Sequence, residues 1–491
     1  MAEKTILIIG AGIGGLAAGC YARMNGYRAL IFEAHTQPGG VCTSWKRKGY
    51  TFDGCIHHLA GCNQGSSLYR VWETLGAFPR EIRYPEDLVR VEGEDGKTVT
   101  LYTQFDRLAE ELHRVSPQDR RPIENYLRGV MTSTRFELFD VLDNPTRGLL
   151  STLPRLPHLV RSGSLTMGKA AERFRDPFLR QAFATFMYDW SGAPILTHLN
   201  ILGGCIARRY GFPEDGSLEF SRSIARRFAD LGGEIHYNAR VVRILVEDGR
   251  AIGVRLADGS EHRGDDVLSN AYAKATVFDL LEGRFLDDRL RTAFAKPEDK
   301  ATMGLHVQFG LARDLSQEAH AIVLFLPEPV EIAGERRDRL DLELFGFDPS
   351  LAPAGKGVLK AVFDTSWSYW RRLAVDRARY VAEKDRIAET VLRSLESRFP
   401  GIESQVEAVD VASPLTTERY TSSAESFAWG SLFGMLLAKP RPLPGLRNVW
   451  MIGQSVGGAG LPGCAVMGRN AIRAIARRDG RRFGTSASRA G

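Results

Sequence analysis

The chain of 491 residues has few cysteines and no long hydrophobic run. Its six cysteines, at positions 20, 42, 55, 62, 205 and 464, form no Cys-x-x-Cys pair. This spacing predicts no structural metal, and it fits a reducing compartment in which disulfides are not kept. We interpret Cys42, Cys55 and Cys62 as small buried packing residues, with a redox role as the alternative.

A run of 18 or more apolar residues is also missing from the sequence. The sequence therefore predicts no membrane-spanning helix. The first residues contain one lysine and pass at once into a glycine-rich stretch, so they do not resemble a secretory leader. We expect a cytoplasmic protein on these grounds.

The positive charge of the chain is local rather than general. The formal net charge is +6, and the residues from Arg469 onward, with seven arginines and one aspartate, account for all of it. The rest of the chain is neutral, which argues against a nucleic-acid-binding platform. We expect residues 481–491 to form a basic flexible tail that is either solvated or attracted to an anionic membrane surface.

The most informative motif, Gly10-Ala-Gly12-Ile-Gly14-Gly15, directly follows the apolar run at 5–9. A strand, a tight glycine turn and a helix N-terminus in this order bind the pyrophosphate of a dinucleotide. A second apolar segment at 28–32 ends on a carboxylate, at the spacing typical of a ribose-binding acid. The residues assigned to the dinucleotide are Gly10, Gly12, Gly14, Gly15, Glu33 and Ala34.

Two further glycine segments favour FAD over NAD. The first follows Pro38 and would let a second backbone segment approach the same ligand, which simple NAD dehydrogenases do not need. The second lies near the C-terminus, where an apolar strand at 448–452 leads into a glycine loop and an apolar helix at 465–475. A helix N-terminus there would stabilise negative charge on a reduced flavin. The residues assigned to these contacts are Gly39, Gly40, Val41, Gly453, Gln454, Gly460, Leu461, Pro462 and Gly463.

The stretch 49–58 resembles the segment that FAD-dependent oxidoreductases of the phytoene desaturase, carotenoid isomerase and retinol saturase group place beside the flavin. The resemblance covers most of the chain and is densest at 5–62, 212–275 and 413–475. It implies that backbone near Val242 contacts the adenine. Three departures matter: Cys55 stands where glycine is usual, Pro213-Glu214-Asp215-Gly216 stands where the group has Pro-x-Gly-Gly, and Val41 stands where amine oxidase-like members carry an arginine. The last argues against an amine substrate.

The expected fold class is α/β (α+β), with a Rossmann-type FAD-binding domain and a discontinuous second domain of mixed sheet and helices that binds the substrate. We assign residues 1–70, 212–280 and 440–480 to the first domain, and 71–211 and 281–439 to the second. Segment 71–211 is expected to be largely helical, with breaks at Pro154 and Pro157. Its mixed apolar and basic stretch at 147–161 is either a surface loop or a segment that dips into a membrane surface.

The resemblance implies hydride exchange between the flavin and a carbon of a long apolar isoprenoid or polyene, such as a carotenoid or a retinoid. This chemistry needs an electron sink and correct placement, which agrees with the lack of a visible nucleophile–base pair. Desaturation, saturation and cis–trans isomerisation all stay open, as does the electron acceptor (oxygen, a quinone or a reductase). His57 and His58 are the candidate catalytic residues, as proton donors or substrate-orienting groups.

Two other classes of protein use related sequences. One is an FAD oxidase that acts on amines or porphyrinogens. The other is a non-catalytic prenyl-binding protein of the Rab GDP-dissociation inhibitor type, in which the flavin fingerprint can decay. That fingerprint is intact here at Gly10, Gly12, Gly15 and Glu33.

Overall fold

The computed structural model describes residues 3–78, 81–135, 153–189, 191–295, 299–422, 440–458 and 460–486. Within these residues the two largest sheets are a five-stranded parallel sheet and a seven-stranded mixed sheet. We call them the parallel sheet and the large sheet. Helices and smaller sheets pack around both, which gives the α/β architecture that the sequence predicts.

The parallel sheet takes its strands from distant parts of the chain, and all neighbouring strands run parallel. Because both of its faces are covered, its central strand is a continuous buried apolar run. The strand order from edge to edge is Glu234–His236, Arg28–Phe32, Thr5–Ile9, Asp266–Ser269 and Val449–Met451. The carboxyl ends of the second and third strands of this order therefore lie side by side, and they lead into Glu33 and Gly10.

The two faces of the parallel sheet are covered differently. Ile6 and Ile8 pack into a cluster with three helices, Ile13–Met24, Gly216–Asp230 and Gly460–Arg478. Leu7 and Ile9 pack against a small antiparallel sheet on the opposite face. The strands of that small sheet are Val241–Glu247, Arg250–Leu256 and Glu261–Arg263.

The large sheet forms the second half of the molecule. Its strand order is Val406–Ala412, Lys300–Leu311, Gly357–Ser366, Glu335–Leu344, Ala321–Ile332, Asp87–Glu92 and Thr98–Tyr102. The last two strands lie in the segment expected to be largely helical, so that expectation is wrong for residues 87–102. The physical reason is that burial alternates from one residue to the next, as in a half-buried strand: Val89 and Val91 are buried and their neighbours are more exposed.

The remaining elements are short strands and helices. Short strands occur at Ser44–Arg47, Tyr50–Asp53, Leu59–Ala60, Ile82–Arg83, Phe186–Asp189 and Tyr210–Pro213. Helices lie at Ser67–Thr74, Phe105–Val115, Arg120–Ser133, Leu156–Ser164, Met167–Ala171, Pro177–Thr185, Ile195–Ile206, Asp288–Phe294, Trp367–Ala374, Arg377–Leu395 and Pro414–Thr421, with a π-helical turn at Ala275–Leu280. None of the described helices has the length and apolar character needed to cross a membrane.

Pro157 begins a helix instead of breaking one. It lies in the first turn of Leu156–Ser164, where the missing N–H of proline has no partner to lose. Residues 147–152 of the apolar and basic stretch lie outside the described residues.

Part of the expected flexible tail packs onto the first helix. Arg481 donates to the backbone carbonyls of Asn25 (3.1 Å) and Gly26 (2.8 Å), and the Phe483 ring lies 5.9 Å from the Tyr21 ring. Contact with buried aromatic and backbone groups therefore fixes these residues, whereas 487–491 lie outside the described part of the chain.

Arg478 carries an internal ion pair that should stabilise the parallel sheet. Its guanidinium donates two hydrogen bonds of 2.7 Å to Asp266, which is 1% exposed at the start of a central strand. We expect Arg478→Ala to lower the free energy of unfolding by about 2 kcal/mol, because a buried carboxylate loses its cation while the arginine itself is partly exposed. Urea unfolding would measure this change. The exposed neighbour Arg477→Ala should change stability by less than about 0.5 kcal/mol, and equal losses would contradict the assignment.

Gly468 sets how closely the last helix approaches the first. A Cβ at this position would lie 2.3 Å from the carbonyl oxygen of Gly14 and 3.0 Å from the backbone nitrogen of Ala18. We expect Gly468→Ala to destabilise the fold by about 1–3 kcal/mol, since the two helices must separate. Gly163→Ala is the matched control, because no atom lies within 4 Å of its added Cβ. An unchanged thermal midpoint for Gly468→Ala would refute the tight contact.

Candidate functional site

A large cavity lies between the parallel sheet and the large sheet. Its volume of about 1690 Å³ exceeds the roughly 300–1,000 Å³ of an ordinary ligand pocket. It therefore has room for a cofactor together with a substrate. The predicted glycine segments line it on the side of the parallel sheet, and residues of the large sheet line it on the other side.

The opening glycine loop is a close-packed backbone turn. Gly10 has a φ of 92°, a conformation that residues with a side chain rarely adopt. A Cβ at Gly15 would lie 2.1 Å from the Gly10 carbonyl oxygen, so position 15 admits only glycine. Gly12 caps the helix Ile13–Met24, and the first residues of this helix line the cavity. The unpaired N–H groups of a helix start are thereby available to an anionic ligand.

Glu33 lies where the sequence predicts a ribose-binding acid. It is 7% exposed, and its carboxylate accepts hydrogen bonds from the backbone N–H groups of Ala11 (2.7 Å) and His35 (2.8 Å). Burial raises the pKa of this carboxyl, and the two N–H donors oppose that shift. Glu33 and Ala34 both line the cavity. A carboxylate has about four lone-pair positions, so it can still accept hydroxyl hydrogens from a ligand.

The three glycine segments meet. The Gly39 N–H donates to the Ala11 carbonyl (2.9 Å), and a Cβ on Gly40 would lie 3.6 Å from the Gly12 Cα. On the other side, a Cβ on Gly14 would lie 3.4 Å from the carbonyl oxygen of Cys464. The loop at the start of the chain thus contacts both later segments, as the FAD interpretation requires.

Asn270 joins these loops. The resemblance implied that the strand ending at Ser269 and Asn270 lies near the adenine, but Asn270 was given no role of its own. It follows the strand Asp266–Ser269, and its amide atoms lie 2.7, 2.5 and 2.7 Å from where a Cβ would stand on Gly12, Gly14 and Gly453. The only sequence signal was an amide residue at the end of a strand that adjoins the first one. Its position beside three glycines depends on the packing of distant segments.

The other predicted cofactor residues fall into two groups. Those that line the cavity are Val41, Val242, Gln454, Gly460, Leu461 and Pro462. Gly15, Gly453 and Gly463 do not line it but lie directly behind it. The last helix begins at Gly460, earlier than the expected apolar run at 465–475, because Pro462 is well tolerated in a first helical turn.

The cysteines near the cavity behave as packing residues. Cys42 is fully buried, and its thiol donates to the Ser217 carbonyl at 3.5 Å. Burial raises the pKa of Cys42 well above its usual value and that of Cys464 to about 12. Both therefore stay protonated at neutral pH and are poor nucleophiles.

His57 and His58 both line the cavity but differ in their surroundings. Burial, together with His57 and His320, lowers the pKa of His58 to about 3. Its ring packs edge-on against Tyr210 at 5.5 Å. Because His58 is neutral at physiological pH, it cannot donate a proton as an imidazolium.

His57 belongs to a buried polar cluster that we call the His57 cluster: His57, Tyr188, Glu343 and Lys360. The Nδ1 atom of His57 is hydrogen-bonded to Oε1 of Glu343, and the Tyr188 hydroxyl donates to the same oxygen at 2.5 Å. Lys360, which is 0% exposed, lies 2.6 Å from Oε2 of Glu343. Burial alone would raise the pKa of Glu343, but His57 and Lys360 hold it well below its usual value.

Sequence reasoning missed Glu343, Lys360 and Tyr188. Lys360 is a charged residue with apolar neighbours on both sides in the strand Gly357–Ser366, and this was the available signal. Its partner could not be identified, because Glu343 lies on another strand and becomes its neighbour only through sheet register.

Known proteins resemble this chain at the level of sequence. A family described as NAD(P)-binding Rossmann-like domain matches residues 8–75. The chloroplastic prolycopene isomerase of Arabidopsis thaliana is 26% identical over 440 residues, which cover 84% of this chain and 72% of that protein. The lycopene-forming phytoene desaturase of Pseudescherichia vulneris is 27% identical over 487 residues, which cover 94% of this chain and 96% of that protein.

Solved structures resemble it in fold. An oxidoreductase from Methanosarcina mazei has a TM-score of 0.62 at 17% identity and covers 96% of this chain and 99% of its own. A putrescine oxidase variant with redesigned cofactor binding has a TM-score of 0.62 at 14% identity, with coverage of 97% and 99%. A Rab GDI from Plasmodium falciparum has a TM-score of 0.51 at 11% identity, with coverage of 99% and 100%.

The structural matches, all far below 25% identity, show the fold alone and confirm the predicted α/β class. The two curated relatives are enzymes, and they match most of the chain. The resemblance and the enzymatic nature inferred from the motifs are confirmed in this way. The chain is an enzyme related by sequence to the phytoene desaturases and prolycopene isomerases.

Proposed function

We propose that the protein is an FAD-dependent oxidoreductase that acts on carbon–carbon bonds of a long apolar isoprenoid or polyene, of carotenoid or retinoid type. The observation that carries this proposal is the cavity that joins the converging glycine loops to the large sheet. The names of the two curated relatives support the same class of substrate.

The residues at the glycine loops fit a dinucleotide. Position 15 admits no side chain, and a Cβ on Gly14 would lie 2.5 Å from the Asn270 side chain, so the loop is built for close backbone contact. The helix start at Gly12 would hold the pyrophosphate, and Glu33 would hold the ribose hydroxyls. Gln454, Leu461 and Pro462 would contact the flavin end, with the helix Gly460–Arg478 behind them.

When bound, the flavin accepts or returns a hydride and so supplies the electron sink of the reaction. The chain itself would place the substrate and exclude water. Apolar residues from several elements line the cavity for this purpose: Leu88, Phe186, Leu196, Ile201, Phe212, Val323, Phe345 and Leu415.

Of the two candidate histidines, His57 is the better placed to hold or move a proton. Glu343 engages its Nδ1 atom, which orients the ring as a carboxylate orients a catalytic histidine. The Nε2 atom is then the position on the ring that a substrate can reach. His58 would stay uncharged and form part of the cavity wall.

Two rival functions fit the site less well. The amine oxidase-like members of the resembling group carry an arginine after the paired glycines, whereas Val41 stands at that position in this chain. A passive prenyl-binding protein has no use for an intact ribose-binding acid beside the opening loop, where Glu33 stands.

Substrate access from a membrane surface is part of the proposal. Leu153, Leu156 and Val160 are 54%, 50% and 63% exposed, and their spacing places them on one side of consecutive helical turns. Gly163, at the end of the same segment, lines the cavity. An apolar surface next to the cavity suits contact between a cytoplasmic protein and the headgroup region of a membrane.

The decisive experiment has two parts. The purified protein should show flavin absorption bands and release FAD on denaturation. It should then be incubated without oxygen with carotenoids, retinoids and squalene-type lipids, while flavin bleaching and product mass are followed. A loss of two hydrogens identifies desaturation, a gain identifies saturation, and an unchanged mass with altered retention identifies isomerisation. A colourless protein that takes up no FAD, or peroxide release with amines alone, would overturn the proposal.

Substitution of Glu33 should weaken cofactor binding without unfolding the half of the molecule that contains the large sheet. We expect Glu33→Ala to weaken FAD binding by roughly 10-fold to 100-fold, the equivalent of one or two hydrogen bonds to a charged group. Titration of the flavin-free protein with FAD would measure the change. Glu234→Ala is the control, because Glu234 lies on the neighbouring strand but its side chain is 56% exposed. Similar losses in both variants would count against a ribose contact.

A further inference from the structure

A smaller cavity lies beside the large one, in a gap of the large sheet. Within the described residues, the neighbouring strands Glu335–Leu344 and Gly357–Ser366 end their pairing at Asp341 and Val362. Beyond this pair, residues of both strands line the smaller cavity instead. Paired strands lie only about 4.8 Å apart, so a space of this kind forms where the pairing stops.

We call the smaller cavity, which lies between residues 336–341 and 362–364, the side cavity. Its volume of about 110 Å³ gives room for roughly three water molecules at about 30 Å³ each. Tyr188, Met303 and Asp341 line both the side cavity and the large cavity. The two spaces therefore adjoin at these three residues.

The walls of the side cavity are charged, and their exposure falls from the protein surface inward. The side chains of Asp338, Arg339 and Asp341 are 65%, 16% and 12% exposed. Arg339 lies 3.6 Å from the Asp338 carboxylate and 3.7 Å from the Asp341 carboxylate. Arg339, Asp341 and Glu343 occupy alternate positions of one strand, so their side chains lie on the same face. Charged groups thus lead from solvent to Glu343 of the His57 cluster.

Specific contacts hold the gap between the two strands. Arg337 of one strand donates to the backbone carbonyl of Asp364 on the other at 2.6 Å. The Asp364 carboxylate accepts from the Met303 N–H at 2.7 Å, and Lys300 lies 2.8 Å from its other oxygen. An arginine therefore spans the separated strands, and the opening is a built part of the sheet.

Tyr188 connects the side cavity with the His57 cluster. Its hydroxyl donates to Oε1 of Glu343 at 2.5 Å and lies 3.3 Å from Nδ1 of His57. Burial, with the carboxylates of Glu343 and Asp341 nearby, raises the pKa of Tyr188 well above its usual value. The phenol therefore keeps its hydrogen at neutral pH. Since a phenol can accept one hydrogen bond while it donates another, Tyr188 can pass a proton on and stay neutral.

A proton at His57 needs a route that avoids the large cavity. In a desaturation, two C–H bonds on adjacent carbons break and a C=C bond forms. One hydrogen leaves with both electrons as a hydride to the flavin, and the other leaves as a proton. An apolar substrate and the cofactor would exclude water from the large cavity at that moment. An imidazole can take a proton on one nitrogen and release one from the other, and Nδ1 of His57 lies beside Glu343 and Tyr188.

We propose that the side cavity is a proton passage between the His57 cluster and solvent, with Tyr188 and Asp341 as its relay groups. The proton leaves His57 through Tyr188 and water in the side cavity, reaches Asp341 and passes out beside Asp338. A saturation reaction uses the same route inward. This inference rests on the proposed function, because it gives the proton of that reaction a path.

A high-resolution crystal structure of the flavin-containing protein tests the passage without any substrate. Ordered water molecules should join the Tyr188 hydroxyl to the Asp341 carboxylate and continue to the exposed Asp338. A side cavity that holds no ordered water, or that the arginine side chains close, would overturn the proposal.

Proton release is measured during one anaerobic turnover of the flavin-containing protein with the carotenoid phytoene, in weak buffer with a pH-indicator dye. In the unsubstituted protein, the appearance of the proton in solution should keep pace with flavin bleaching. In Asp341→Asn, proton release should lag about tenfold or more behind bleaching, because the relay lacks a group that can carry a proton. A defect of folding or substrate binding would slow both signals together.

Two variants serve as controls for Asp341→Asn. Asp341→Glu keeps a carboxylate, so the lag of proton release behind bleaching should shrink to about threefold or less. Glu331→Gln removes a carboxylate from the neighbouring strand, where the side chain is 69% exposed and lies outside the side cavity. It should show no lag. Flavin content and thermal unfolding are checked for each variant.

Proton release that keeps pace with bleaching in Asp341→Asn would overturn the passage and leave the proposed function standing. An equal lag in Glu331→Gln would also overturn it. If no carotenoid, retinoid or squalene-type lipid changes the flavin or is itself changed, the proposed function fails. The water molecules in the crystal structure then decide the passage by themselves, as they do if Asp341→Asn does not fold.

Discussion

The structure depends on a direct contact between the backbones of the first and last helices. Gly14 and Gly468 meet with no room for a side chain between them, and the glycine segment at 39–40 closes on the same loop. Packing this close leaves no space for an added carbon atom, because even one would force the two helices apart. Because residues more than 400 positions apart share this contact, the cavity forms only when the whole chain has folded.

The same contact positions the proposed cofactor site. Glycine backbone and the Glu33 carboxylate form this side of the cavity, so the proposed site is positioned by main chain rather than by flexible side chains. Rigid placement suits a reaction in which the cofactor supplies the electron sink and the protein supplies orientation.

On the opposite side of the cavity, a buried ion pair positions the polar side chains. Lys360 and Glu343 are removed from water on neighbouring strands, where each compensates the desolvation of the other. A buried ion pair is a weak source of stability, but it orients what it touches, and here it touches His57 and Tyr188. The cavity therefore combines apolar walls with one polar region, an arrangement that orients a long ligand as well as enclosing it.

The sequence by itself determined the tight glycine loop at 10–15, the acid that follows the second strand at position 33, the glycine segments and the α/β class, because each follows from local backbone requirements such as positive φ, close approach or strand periodicity. It did not determine the hairpin at 87–102 within a segment expected to be helical, the packed start of the C-terminal tail, or the roles of Asn270, Glu343 and Lys360. Tertiary structure decided these features. Sheet register and helix packing bring together residues that are far apart in the chain, and the local sequence around one residue does not identify its partner. Only such long-range pairing could distinguish a neutral His58 from a carboxylate-bound His57 next to it.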